Sequence, residues 1–209
     1  MSEMWTVVAA ERGALADDLS GLTDEQWRTP SLCDGWTVHD VLAHQCGTAD
    51  MNPGRFFLRF AAARFDFARF AQAQVERYRG ATPAETLATF RRLQHSTSAP
   101  PGPRVSWLGE VVVHSEDIRR PLGIDHEYPP DAVRQVLDFY TGSNTLIGTK
   151  NRIADLRLVA TDQDWSHGSG PTVEGRMLDL LLAATGREAG CERLEGDGVT
   201  TLRLRCHTG

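Results

Sequence analysis

The sequence lacks the positive charge that a nucleic-acid partner requires. Its 209 residues carry a formal net charge of −6, and the pI calculated from the sequence is near 5.6. Contacts to phosphates need a basic face, so this balance argues against nucleic acid as the main partner. The nearest approach to a basic run is Arg119-Arg120, a pair that is typical of the carboxyl end of a helix.

The chain also lacks the long apolar segments of membrane and exported proteins. No stretch approaches the roughly 20 consecutive apolar residues of a membrane span, and the first residues lack a basic stretch followed by an apolar run. We therefore expect no secretory signal and no membrane partner. The four cysteines, Cys33, Cys46, Cys191 and Cys206, show no CxxC spacing. They are expected to be reduced structural thiols, which indicates a cytoplasmic protein.

Hydrophobic periodicity indicates helices over the first two thirds of the chain. Capping-box sequences begin at Thr23 and Thr37, and Pro83 stands at the first position of another helix. The predicted helices cover residues 3–20, a short stretch around Trp27, 37–49, 55–79, the segment after Thr82, 107–120 and 130–146. This pattern predicts a mainly α fold.

The segment 55–79 is dense in aromatic side chains. Its phenylalanines are Phe56, Phe57, Phe60, Phe65, Phe67 and Phe70. Their mixed spacing suggests one long helix that contacts neighbours on more than one side. A flavin or haem pocket is the sharper hypothesis, but packing in the core is the interpretation we prefer.

The pattern changes beyond Gly148. Alternation over 156–160 predicts a strand, residues 168–171 a loop, and Thr172 the cap of a helix that continues to Gly186. Alternation over 202–206 predicts a second strand. We therefore expect a helical domain over residues 1–148 and a small α/β domain over 149–209, which is too short to be stable alone and should pack on the helices.

Glu110 and His114 form the first candidate chemical group. At a spacing of four residues on a helix they project from the same side, flanking the apolar stripe of Val111 and Ile118. A carboxylate directed towards a core is costly unless a positive charge meets it, and a divalent metal meets that need. An ordinary salt bridge between the two residues is the alternative that the spacing leaves open.

His44 is the candidate for a third ligand. It follows Val38 and Val41 on the inner side of its helix, whereas His39 lies about 140° away around the axis and is expected near the solvent. Two histidines and one carboxylate with an open position are typical of catalytic metal sites. Asp117, one turn beyond His114, is expected to orient that histidine rather than to bind the metal.

The residues from Pro30 to His44, followed by Glu110 to Asp117, resemble the mycothiol-dependent maleylpyruvate isomerase family. The stretch from Asp164 to Pro171 and the segments Gly175–Arg187 and Leu194–Gly198 resemble its carboxy-terminal domain. That family belongs to the DinB-like group of metal-binding proteins. The resemblance therefore implies a DinB-like four-helix bundle with a small C-terminal α/β domain.

The resemblance also implies a site. His44, Glu110 and His114 match the family's metal ligands, and the implied metal is zinc. An arginine of the small domain is thought to assist at the active site, and Arg187 is the candidate, with Arg176 as its substitute. A cation at the end of a helix is the structural alternative for Arg187.

The implied function is a thiol-dependent transferase or isomerase. It would use mycothiol as the low-molecular-weight thiol and a small electrophile such as maleylpyruvate as substrate. A metal-dependent hydrolase on the same scaffold and a non-catalytic metal-binding bundle are the alternatives. The phenylalanine-rich segment has no counterpart that we can match, and a homodimer is left open.

Overall fold

The computed structural model describes residues 3–144 and 147–206. The chain divides into two compact units, Met1–Glu127 and Tyr128–Gly209. The first unit is built from helices alone, as far as its residues are described. Its helices are α1 Glu3–Asp18, α2 Asp24–Trp27, α3 Val38–Ala49, α4 Pro53–Ala62, α5 Phe67–Tyr78, α6 Pro83–Leu93 and α7 Arg104–Leu122, with one 3-10 turn at Leu19–Gly21.

Four long helices, α1, α3, α6 and α7, pack against one another and form the bundle of the first unit. Their shared core includes Leu15, Leu42, Phe90 and Ile118, all fully buried. Burial of such side chains contributes about 1.5–3 kcal/mol each. The predicted four-helix bundle is confirmed.

Helix starts follow the capping signals of the sequence. Thr23 and Thr37 both form complete capping boxes, with Gln26 and Asp40 as the reciprocal partners. Helix α7 ends at Gly123, whose φ of 67° is the left-handed conformation that favours glycine. The start of α3 and the end of α7, the two helices that carry His44, Glu110 and His114, are thus marked by local signals.

The segment 55–79 differs from its prediction in two ways. It is two helices, α4 and α5, separated by a turn in which Arg64 and Phe65 both have φ of 60°. Asp66 caps α5 by accepting a hydrogen bond from the backbone N–H of Arg69. The predicted core packing was also wrong, because α4 has no buried residue and Phe57 and Phe65 are 61% and 71% exposed.

The second unit combines helices with a small sheet. Its elements are α8 Pro130–Thr141, α9 Thr149–Arg152, β1 Arg157–Ala160, β2 Ser166–Gly168, β3 Thr172–Gly175, α10 Met177–Ala184, α11 Glu188–Cys191 and α12 Val199–Cys206. The strand order is β2-β1-β3, with β2 antiparallel and β3 parallel to β1. The predicted strand over 156–160 is therefore present as β1.

Two predictions in this unit were wrong. Residues 172–175 form a strand instead of the first turn of a helix, because they pair with β1 and Glu174 exchanges backbone hydrogen bonds of 2.8 Å with Glu195. Residues 199–206 form a helix instead of a strand. Leu202 is buried there while Leu204 is 65% exposed. The alternating leucines therefore do not share one buried face, as they would in a strand.

The division into units falls at Glu127, whereas the sequence analysis placed the domain boundary at residue 148. The difference concerns α8, which packs against α10 of the second unit. This helix ends at Thr141, and the last residues of its predicted extent, 145–146, lie outside the described residues. Within the described ranges, no helix is both long and apolar enough to cross a bilayer.

Candidate metal centre

Two packed helices of the bundle, α3 and α7, carry the three predicted ligands. The capping box at Thr37 starts α3, and His44 lies almost two turns further on, on the side that faces α7. On α7, Glu110 and His114 are one turn apart. The structure thus brings together the three side chains that the sequence singled out.

The distances between these side chains are short. His44 Nε2 lies 2.9 Å from Glu110 Oε1, and His114 Nε2 lies 3.5 Å from Glu110 Oε2. The two imidazole rings meet edge to face with centroids 4.8 Å apart. One donor atom from each residue lies within 4.8 Å of the other two.

This arrangement fits a divalent cation. Zinc binds histidine nitrogen and carboxylate oxygen at about 2.0–2.2 Å, so ligand atoms in a tetrahedral site are roughly 3.4 Å apart. The nitrogen–oxygen distances of 2.9 and 3.5 Å bracket that spacing. Three protein ligands leave at least one position for a ligand from solution, and the three side chains keep 16–19% of their surface accessible.

A second layer of contacts orients these side chains. Asp117 is fully buried, and its Oδ2 accepts a hydrogen bond of 2.8 Å from Nδ1 of His114, which leaves Nε2 facing Glu110. The same oxygen accepts a hydrogen bond of 3.0 Å from the Cys33 thiol. Thr48 donates through Oγ1 to Glu110 Oε1 at 2.9 Å.

Trp36 forms one wall of the site. Its ring lies 5.1 Å from the ring of His44, at an angle of 44°. The indole Nε1 donates to Gln72 Oε1 on α5, so this wall links the site to the hairpin of α4 and α5. An aromatic wall excludes water and strengthens the electrostatic interactions beside it.

The electrostatics of the site favour charge on both Glu110 and His114. Burial opposes ionisation of Glu110, but His114 and His44 outweigh it and hold the pKa of that carboxyl well below its usual range. Burial likewise opposes the charge on His114, yet Glu110 and the hydrogen bond that His114 donates to Asp117 raise the pKa of the imidazole well above its usual range. Protonation of His114 and binding of a metal ion therefore compete for the same ligand atoms.

His39 corrects the sequence analysis. We expected this histidine near the solvent, but only 5% of it is exposed. Its Nε2 lies 2.7 Å from Thr86 Oγ1, and its Nδ1 accepts a hydrogen bond of 3.2 Å from Arg79 Nε. Helix α6, which carries Thr86, covers the side of α3 that we took to be open.

Sequence reasoning missed Cys33 and Thr48. Cys33 lies in the loop between α2 and α3, where no helical periodicity indicates the direction of a side chain. The backbone N–H of Leu32 donates to the carbonyl of Asp117 at 3.1 Å, and this contact brings the loop to α7. Thr48 is one turn beyond His44 on α3, a spacing that could have found it.

The two candidate arginines belong to the second unit. Arg187 precedes α11, and its guanidinium donates to the carbonyl of Thr185 at 3.0 Å. Arg176 precedes α10, with Nε 3.6 Å from Asp162 Oδ2. The assistance of Arg187, or of Arg176 in its place, stays a prediction.

The protein is thus a helical bundle with a candidate metal site, in which two facing helices present two histidines and a carboxylate. Its sequence matches the family model of the mycothiol maleylpyruvate isomerase N-terminal domain over residues 8–119, more than half of the chain. The chain belongs to this family. No curated protein matches it as a relative.

Solved structures show the same fold. A histidine-to-alanine mutant of the mycothiol-dependent maleylpyruvate isomerase is similar with a TM-score of 0.60 and 14% identity, covering 93% of this chain and 92% of that one. A second crystal structure of the mycothiol-dependent maleylpyruvate isomerase matches with a TM-score of 0.55 and 12% identity over the same shares of the two chains. The mainly α, DinB-like fold with a small α/β unit is thereby confirmed.

Proposed function

We propose that this protein is a metal-dependent enzyme that uses the low-molecular-weight thiol mycothiol. It would either transfer the thiol to a small electrophilic substrate or isomerise that substrate. The observation that carries the proposal is the convergence of His44, Glu110 and His114 from two helices. Membership of the family supports the choice of thiol, and maleylpyruvate is the substrate that the similar solved structures suggest.

His44, Glu110 and His114 would hold the metal, most simply zinc. Bound there, the metal would act as a Lewis acid that lowers the pKa of the thiol and would favour its thiolate form near neutral pH. Glu110 balances part of the metal's charge, and Thr48 fixes the orientation of that carboxylate through its 2.9 Å hydrogen bond. Asp117 keeps the Nδ1 proton on His114, so that Nε2 is free to bind.

A thiolate held at this site could react with an electrophilic substrate in two ways. The proton of the thiol would pass to solvent, so no side chain of the site is needed as its base. A thiolate adds to an activated double bond, rotation about the resulting single bond follows, and loss of the thiol restores the double bond in the other geometry. Displacement of a leaving group from an electrophile would instead give transfer. The partially buried position beside Trp36 suits a small substrate.

We further propose that the protein works in the cytoplasm. All four cysteines are free thiols in the structure. Cysteines persist in that form in reducing compartments.

Activity assays on the full chain test the proposal. Protein loaded with zinc is mixed with mycothiol and maleylpyruvate or a panel of electrophiles, and turnover is followed by absorbance. Saturable turnover that needs both zinc and mycothiol is expected. Turnover without thiol would make the protein a hydrolase, and binding of zinc without any turnover would make it a metal-binding bundle.

Matched variants locate the activity. Glu110→Ala removes the carboxylate shared by both histidines, and activity should fall by at least about 100-fold because the metal is lost. His95→Ala changes an exposed histidine on another part of the bundle and should leave activity unchanged. Equal activity of the Glu110→Ala protein and the wild type would contradict the proposed centre.

A further inference from the structure

The hairpin of α4 and α5, here called the aromatic hairpin (residues 53–78), presents apolar side chains to the solvent. Phe57, Leu58, Phe65 and Phe67 are between 53% and 74% exposed. Elsewhere in the described chain, Leu204 is the one large hydrophobic residue with comparable exposure. Exposed apolar groups concentrated in one place indicate an interaction surface.

The exposed rings are held in a defined cluster. Phe60 lies at its centre, with ring centroids 4.5 Å from Phe67, 5.5 Å from Phe65 and 5.8 Å from Phe70. Phe56 stacks on Phe60 at 5.4 Å. These rings pack on one another and none of them is buried, so the hairpin presents a preformed apolar face.

The backbone at the tip of the hairpin also contributes to this presentation. Arg64 and Phe65 both adopt φ of 60°, a conformation that side chains larger than glycine rarely adopt. The backbone N–H of Phe65 donates to the carbonyl of Phe60 at 3.0 Å, which closes the turn. The turn directs an arginine and a phenylalanine outward together.

The charge of the hairpin is opposite to that of the rest of the chain. Residues 53–78 contain five arginines against one aspartate and one glutamate, although the whole protein has a net charge of −6. Arg55 pairs with Asp50 at 3.0 Å. Arg64 and Arg69 are exposed and have no carboxylate partner among the residues that the structure describes.

We propose that the aromatic hairpin is a docking surface for an anionic phospholipid bilayer. Amphipathic helices with phenylalanine and leucine on one face and arginine on the other lie in the plane of such a surface. A two-fold contact between two copies through this face would oppose like charges, whereas anionic headgroups complement them. The sequence has no segment that could span a bilayer, and our expectation of no membrane partner rested on that alone; a surface that lies on the bilayer needs no such segment.

Vesicle sedimentation with the full chain tests this surface. The protein should bind vesicles of phosphatidylcholine that contain phosphatidylglycerol, bind pure phosphatidylcholine much less, and dissociate at high salt. Arg64→Glu combined with Arg69→Glu should weaken binding by at least about tenfold. Phe65→Ser combined with Phe67→Ser should also weaken it, while zinc content stays unchanged in both variants.

Control variants and competing outcomes make the test decisive. Arg28→Glu with Arg92→Glu changes two exposed arginines outside the hairpin, and Leu204→Ser removes an exposed leucine of the second unit. Both controls should bind vesicles as the wild type does. Absence of binding by the wild type, or equal binding by the hairpin variants, would overturn the proposal. Self-association that Phe65→Ser abolishes, without vesicle binding, would assign the surface to a second copy instead.

Discussion

At the scale of single residues, the candidate site depends on how each side chain is held. The sequence predicted Glu110 and His114 from their spacing on one helix, and His44 from its position on the inner side of another. It could not predict that the Cys33 thiol and His114 share one oxygen of Asp117. That contact depends on a loop, and the sequence of a loop has no periodic pattern from which the direction of a side chain can be predicted.

The role of Asp117 gives a first prediction. Asp117→Asn replaces an acceptor that fixes the proton on Nδ1 of His114 with an amide that can donate instead. Zinc affinity should fall by about 10–100-fold, as is usual when such an outer contact is lost. Competition with a chromophoric chelator measures the affinity, and circular dichroism checks that the variant is folded. An affinity equal to that of the wild type would show that Asp117 does not orient the histidine.

His39 gives a second prediction, on stability against pH. Burial lowers the pKa of this histidine, Arg79 lowers it further, and Asp40 opposes them. A histidine whose pKa is lowered in the folded state contributes stability above its unfolded pKa of about 6.5 and loses it as the pH falls. His39→Gln should therefore lower the free energy of unfolding by about 1–2 kcal/mol at pH 7.5, and the difference should narrow towards pH 5.

Urea denaturation of the wild type and His39→Gln across this range measures the effect. Taking the difference between the two proteins removes the contributions of the other titratable groups, including His114, whose raised pKa acts in the opposite direction. A difference that is constant with pH, or that widens on acidification, would contradict the neutral state of His39.

At the scale of elements, the helices that carry the site were the most predictable part. Local signals set their limits: a capping box at Thr37 for α3 and a left-handed glycine at Gly123 for α7. Prediction failed where contacts with elements distant in the sequence determine the secondary structure. Residues 172–175 became a strand because β1 offers a partner, and residues 199–206 became a helix although leucine and arginine alternate there.

The capping box at Thr37 gives a third prediction. Thr37→Ala removes the side-chain acceptor for the N–H of Asp40 and one partner of its carboxylate. The free energy of unfolding should fall by about 1 kcal/mol. Thr23→Ala, in the box of the four-residue helix α2, is the matched comparison and should cost less, because little structure depends on that helix. An unchanged free energy of unfolding in Thr37→Ala would show that α3 does not depend on its cap, and an equal or larger effect at Thr23 would contradict the ranking of the two caps.

At the scale of the whole molecule, the family match and the fold lead to the same assignment, whereas the metal and the substrate are proposals. The family match covers residues 8–119, which contain all three candidate ligands. Arg187 lies in the other unit. Sequence reasoning predicted the overall class because capping and the metal-ligand spacing are local. It could not define the limits of the second unit, since α8 packs with a helix that is remote in sequence.

Quantitative elemental analysis of the purified full chain, compared with Glu110→Ala and His114→Ala, tests the central claim most directly. We predict close to one zinc ion or other divalent metal per chain in the wild type and almost none in either variant, with all three proteins folded. A wild type that neither carries nor takes up a divalent metal, or variants that retain it in full, would contradict the assignment of this centre.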